Sequence, residues 1–277
     1  MMSGNSILLG RVAGIPIRAH FLLLLALPWM MTWFITPSPL LRLIGAIGVF
    51  TSVALHELGH SIVAQSKGSY IQEIVLYPFG GAAKISNIPS RPLDEILVAL
   101  AGPAVSLFLG VTATLVGMKL YMRQPADYPY PLTLQLGVIN LGLFIFNLLP
   151  VFPMDGGRVL RATVAIWKSR VEATRFAATV GKYFCLFFVL IGLFGLPMRL
   201  FGFLGPLRPN LLLAFIGGYI YIVGQAEYRQ VMLEHQARHF SGFRENHIDV
   251  EVGPPPYAGG GRSSESLMER LRRLFRK

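Results

Sequence analysis

Residues 43–65 read LIGAIGVFTSVALHELGHSIVAQ, and the letters HELGH at 56–60 decide how the rest of the chain is read. The run is apolar and long enough to cross a bilayer as a helix. On a helix, His56 and His60 project from one face and can hold one ion, while Glu57 is turned about 100° from His56. Zinc held by two neutral imidazoles lowers the pKa of a water from about 15.7 to about 7, and a neighbouring carboxylate can take the proton. Charged residues at membrane depth cost roughly 2.5–3.5 kcal/mol each on insertion scales, so this stretch implies partners or a function. The plain alternative is a pair of histidines hydrogen-bonded inside a helix bundle.

The composition fits a membrane chain. Of 277 residues, 53% are hydrophobic and 14% charged, where soluble domains carry nearer about 25% charge. The apolar residues come in blocks, which predicts an all-α membrane protein with six transmembrane helices: about 19–36, 42–66, 93–122, one starting near 132, 177–200 and 210–227. The first apolar run is long and lacks a small-residue cleavage site, so it reads as a span and not as a cleaved leader. Between the second and third spans, 70–77 is rich in β-formers, 78–81 is turn chemistry and 82–88 can run back. A small β-hairpin or re-entrant loop is expected there, tolerated at membrane depth only where protein buries it or it lines a wet cavity. The fourth span runs into NLLPVFPMDGGR at 147–158, where Pro150, Pro153, Gly156 and Gly157 must break the helix before it resumes near Arg158.

The expected organisation is a six-span domain over 1–228 and a basic tail over 229–277. The tail contains a linker at 253–262 and a candidate amphipathic helix at 265–277. The net charge of +11 could suggest nucleic acid, but its distribution argues for topology. In a six-span layout only Arg42, Lys119, Arg123, Arg199 and Arg208, five of the 25 basic residues, fall opposite the termini. The positive-inside rule therefore places both termini in the cytoplasm, with the lipid bilayer and not nucleic acid as partner. The lone Cys185 excludes a disulfide framework and a cysteine-based zinc site. His235 and His239 repeat the four-residue spacing, but in a polar segment without the glutamate.

Catalytic zinc needs a third protein ligand. A histidine at 66 after a glycine at 63 would supply it, but the chain has Val63 and Ser66. Glu73 and Glu95 are candidates, each near a predicted membrane boundary. Asp155 is favoured, because it lies in a span otherwise free of acid, where the broken helix lets backbone turn towards an ion. Asn147, before it, offers an amide that could stabilise an oxyanion or make an interhelical hydrogen bond.

HELGH in the second of six spans, followed by NLLPVFPMDGGR in a later one, resembles the site-2 proteases, the intramembrane zinc metalloproteases. The GIPI opening, FGG at 79–81 and AGPA at 101–104 are similar to stretches in that family. The resemblance implies His56, His60 and Asp155 as ligands of one catalytic Zn2+, Glu57 as general base and Asn147 as a helper near the substrate carbonyl. It also implies hydrolysis of a peptide bond in or near the transmembrane segment of a single-pass membrane protein, in a bacterial or archaeal plasma membrane. Tyr77, Phe79, Gly80 and Gly81 of the hairpin are candidate substrate contacts, by strand addition. No loop is long enough for the PDZ domain, and the tail is too short for the paired CBS modules, that many relatives carry. Oligomeric state and substrate identity have no signature here.

Two rival readings use the same residues. A zinc transporter needs a charged path to the far face, and the extracytoplasmic halves of the spans have almost no acids or histidines. A non-catalytic membrane adaptor has no need of the full set of catalytic residues, and all of them are present.

Overall fold

The computed structural model describes residues 6–77, 80–86, 91–123, 130–195 and 209–245, apart from the side chains at 82, 227, 230 and 234–245. The chain divides into two units, Met1–Met232 and Leu233–Lys277. The linker at 253–262, the candidate helix at 265–277 and the side chains of His235 and His239 lie outside the described residues.

The N-terminal segment departs from the all-α expectation. Ser6–Val12 (β1) and Ile15–His20 (β2) form an antiparallel hairpin. Its two turn residues, Ala13 and Gly14, have φ of 51° and 79°, the paired positive values that a tight two-residue hairpin turn needs. Residues 19 and 20 therefore belong to a strand, and the following apolar helix, α1, spans only Leu22–Met31. Tyr70–Tyr77 (β3) and Gly80–Ser86 (β4) pair antiparallel as the predicted hairpin. β2 runs parallel beside β3, giving one four-stranded sheet in the order β1-β2-β3-β4. A polar row crosses it. Arg18 Nε donates to Ser6 Oγ at 2.9 Å and lies 3.8 Å from Glu73, which also pairs with Lys84.

Among the described residues six more helices follow α1: α2 (Pro39–Ser66), α3 (Pro92–Tyr121), α4 (Leu132–Asn147), α5 (Asp155–Val164), α6 (Arg170–Phe194) and α7 (Leu211–Glu245). Their starts are written in the sequence. Ser38 caps α2, accepting from Leu41 N, with Pro39 in the first turn. Ser169 and Glu172 form a capping box for α6. Among the described residues four helical stretches are long and apolar enough to cross a membrane: Pro39–Ser66, Pro92–Tyr121, Arg170–Phe194 and Leu211–Leu233. The apolar α1 and α4 are shorter, at 10 and 16 residues. The protein is an integral membrane protein of mostly helical build with a small sheet.

α2 is central. It packs against α1, α3, α4 and both strands of the β3–β4 hairpin. Ile15, Leu58, Ile74 and Leu76 are buried in the core it shares with the sheet. α3 and α4 approach closely because glycines face the seam. A Cβ at Gly110 would lie 2.9 Å from Leu141, and one at Gly137 would run into Thr114. Nothing lies within 4 Å of a Cβ built on Gly142, also on α4. Overpacking costs about 1–3 kcal/mol, so Gly137→Leu should lower the thermal midpoint of the purified protein by several degrees while Gly142→Leu leaves it within about one. Equal midpoints for the two variants, read in thermal melts in detergent, would remove the glycine seam as a source of stability.

Candidate metal centre

His56 and His60 stand one turn apart on α2, and Asp155 is the first residue of α5. All three are buried, at 6%, 6% and 7% exposure. His56 Nε2 and His60 Nε2 are 3.1 Å apart, and each is 3.2 Å from Asp155 Oδ2. A tetrahedral zinc with bonds of 2.0–2.1 Å separates its ligand atoms by about 3.3 Å. The trio therefore already stands at close to the edges of such a tetrahedron.

The outer ring nitrogens say what these atoms are. His60 Nδ1 is 2.7 Å from the carbonyl oxygen of Val98, which only accepts, so Nδ1 carries a proton and, in the neutral ring, Nε2 presents its lone pair. His56 Nδ1 is 2.9 Å from Ser106 Oγ, an oxygen that can accept in the same way. Lone pairs from two imidazoles and a carboxylate then face one another in a buried space. A cation between them satisfies all three at once, whereas histidines merely bonded to each other do not. The donor set, two nitrogens and one oxygen with a fourth position left open, suits catalytic zinc.

The surrounding chain makes room for this convergence. A Cβ on Gly102 of α3 would fall onto His60 Nε2 and close to His56 Nε2. The glycine of the AGPA stretch at 101–104 therefore leaves the space that both imidazoles occupy. Asp155 arrives through a folded-back loop in which Met154 N donates to Val151 O at 2.8 Å and Gly157 N to Met154 O at 3.0 Å. Cβ atoms on Gly156 and Gly157 would clash with the backbone of Leu148 and Val151 respectively, so the DGG run is what lets α5 begin there. The carboxylate also sits at a helix N-terminus, where negative charge is favoured.

The competing acids are engaged elsewhere. Glu73 is held by Arg18 and Lys84 on the sheet. Glu95 is buried against Arg161 and Arg170. Among the described residues, His56, His60 and Asp155 are the group of three side chains able to share one metal ion.

Glu57 is half-buried beside them. A Cβ on Gly81 would run into Glu57 Cγ, so the start of β4 lies against this carboxylate. Gly80 has φ of +144°, which requires glycine. Tyr77 pairs with Gly80 across the hairpin, and its ring centroid is 5.1 Å from that of His20. Phe79 lies outside the described residues. Asn147 closes α4, and its Nδ2 donates to Leu143 O at 2.9 Å within that helix. Reading the sequence did not find Ser106, the Val98 carbonyl or the clearance at Gly102. A serine four residues past a glycine in an apolar helix is the one trace they leave.

The sequence profile of Peptidase family M50 matches residues 44–129 and 125–191. The chain belongs to that family. Among M50 relatives, a zinc metalloprotease of Methanocaldococcus jannaschii is 35% identical over 229 residues, 83% of this chain and 62% of the relative's length. Rip3 of Mycobacterium tuberculosis is 30% identical over 283 residues, covering 96% of this chain and 68% of Rip3. The solved site-2 protease from Methanocaldococcus jannaschii superposes with a TM-score of 0.55 at 32% identity, over 80% of this chain and 95% of that one. Zinc is the metal in the names of these two relatives, and the donor set of His56, His60 and Asp155 has the chemistry to hold such an ion.

Removing an outer partner of a metal-bound histidine typically costs 10–100-fold in affinity. Ser106→Ala should weaken zinc binding by about that factor, and Gly102→Ala should abolish it, as read by metal analysis of the purified protein. Parent-level zinc in both variants would detach α3 from the site.

Proposed function

We propose that the protein is an intramembrane zinc metalloprotease that hydrolyses a peptide bond in or near the transmembrane segment of single-pass membrane proteins. The observation that carries this reading is the convergence of His56 Nε2, His60 Nε2 and Asp155 Oδ2 within 3.2 Å of one another, inside an apolar helix whose next residue after His56 is a glutamate. In this reading the short helices α1 and α4, with the residues that flank them, join the long helices α2, α3, α6 and α7 as six spans, and both termini are cytoplasmic. Residues 1–228 form the proteolytic domain and 229–277 a basic tail. The site then lies in the cytoplasmic half of a bacterial or archaeal plasma membrane.

Zinc bound by His56, His60 and Asp155 would polarise the scissile carbonyl and acidify the attacking water. Glu57 accepts the proton of that water as its oxygen attacks the carbonyl carbon, then returns it to the leaving amine as the C–N bond breaks. The Val98 carbonyl and Ser106 keep the two imidazoles turned inward throughout. Asn147 can donate its amide to the developing oxyanion once a substrate draws it from Leu143. A helical substrate shields its carbonyls, so it must unwind first. β4 is an edge strand of the sheet and runs against Glu57, so an extended segment added to it passes beside the base.

Glu57→Gln tests the reading. It should keep its zinc while cleavage falls by at least about 100-fold. The measurement compares fragments ending inside apolar segments in membranes of cells expressing either form. Fragments persisting in the Glu57→Gln cells would remove Glu57 from catalysis.

A further inference from the structure

Apart from the ligand trio, the bundle buries another set of charges, and the proposed chemistry does not use them. Glu95 on α3 is 8% exposed and Arg161 on α5 is 6% exposed. Arg161 Nε donates to Glu95 Oε1 at 2.8 Å, and Nη2 reaches the same oxygen. Arg170, at the start of α6, stands 3.6 Å from Oε2. The Arg161 guanidinium also lies over the Phe152 ring, 5.3 Å from its centroid. A buried ion pair is a poor source of stability, because desolvation offsets the attraction; what it supplies is directional contact.

Its location gives that contact a use. Glu95, Val98, Gly102 and Ser106 succeed one another at helical spacing and share one stripe of α3. Higher on this stripe are the carbonyl that orients His60, the clearance over both imidazoles and the hydroxyl that orients His56. Arg161 follows Asp155 on α5, and Phe152 lies in the loop that delivers Asp155. The ion pair thus fastens the element bearing the third ligand to the helix that orients the first two.

We propose that Glu95 and Arg161 are positioning residues that set Asp155 against the two imidazoles, so that zinc affinity depends on a contact made by no ligand. This rests on the zinc reading of the site. The test measures zinc affinity by chelator competition, together with thermal melts of the zinc-free form, in the full-length parent, a Glu95→Leu/Arg161→Leu double variant, Glu95→Gln and His56→Ala. The double variant leaves no buried charge unpaired, so a merely structural pair predicts parent-like zinc binding. The positioning role predicts affinity at least about tenfold weaker, with the zinc-free melt within a few degrees of the parent's. Glu95→Gln keeps an oxygen for Arg161 and should retain affinity within a few-fold. A double variant that binds zinc like the parent, or that loses zinc only because its zinc-free form unfolds, overturns the proposal. A parent that binds zinc no better than His56→Ala overturns the zinc reading itself, so the two failures are separable.

Discussion

Three lone pairs aimed at one point inside an apolar bundle repel each other unless a cation joins them. This constraint organises the structure around α2. Two imidazoles from that helix and a carboxylate from α5 stand within 3.2 Å of one another, and nearly every irregular feature nearby serves to bring them there. The helix break after Asn147 turns the chain back. The glycines after Asp155 let it pack against its own loop, and Gly102 leaves the imidazoles uncovered. The ordering of α3 against α5 by a buried ion pair belongs to the same arrangement.

Because the site lies among apolar helices, a polar atom left without a partner costs more there than it would at a surface. The structure meets this by giving each imidazole a fixed partner on α3 and by pairing Glu73 and Glu95 with basic residues. Asn140 follows the rule at its nitrogen, where Nδ2 donates to Ser52 Oγ at 3.0 Å and to Leu136 O at 2.9 Å, but its Oδ1 is buried without a hydrogen-bond partner among the described residues. The sheet provides what the helices lack, an extended edge beside Glu57 where a second extended chain could pair. The chain carries these features on a fold that superposes on the solved site-2 protease of Methanocaldococcus jannaschii.

Much of this could be read from the residues. The two histidines and Glu57 are legible because their spacing is local and their setting apolar. Asp155 is legible because Pro and Gly around it forbid a continuous helix. The β3–β4 hairpin follows from β-formers flanking a turn. The N-terminal hairpin was not legible, since its apolar residues suit a strand or the start of a span equally. Only pairing with β3, more than fifty residues along, settles the matter. The Val98 carbonyl and Ser106 stay hidden for a related reason, as a backbone oxygen has no letter and one serine in a helix gains meaning only from the helix it faces. Glu95 reads as a rival ligand in the sequence because its partner, Arg161, lies on a helix far along the chain.

The most direct measurement is an anomalous difference map, collected at the zinc edge from crystals of the zinc-loaded protein. The account predicts one peak bonded at about 2.0–2.2 Å to His56 Nε2, His60 Nε2 and a carboxylate oxygen of Asp155. A peak at another set of side chains, or no peak between these three in a zinc-loaded crystal, would contradict it.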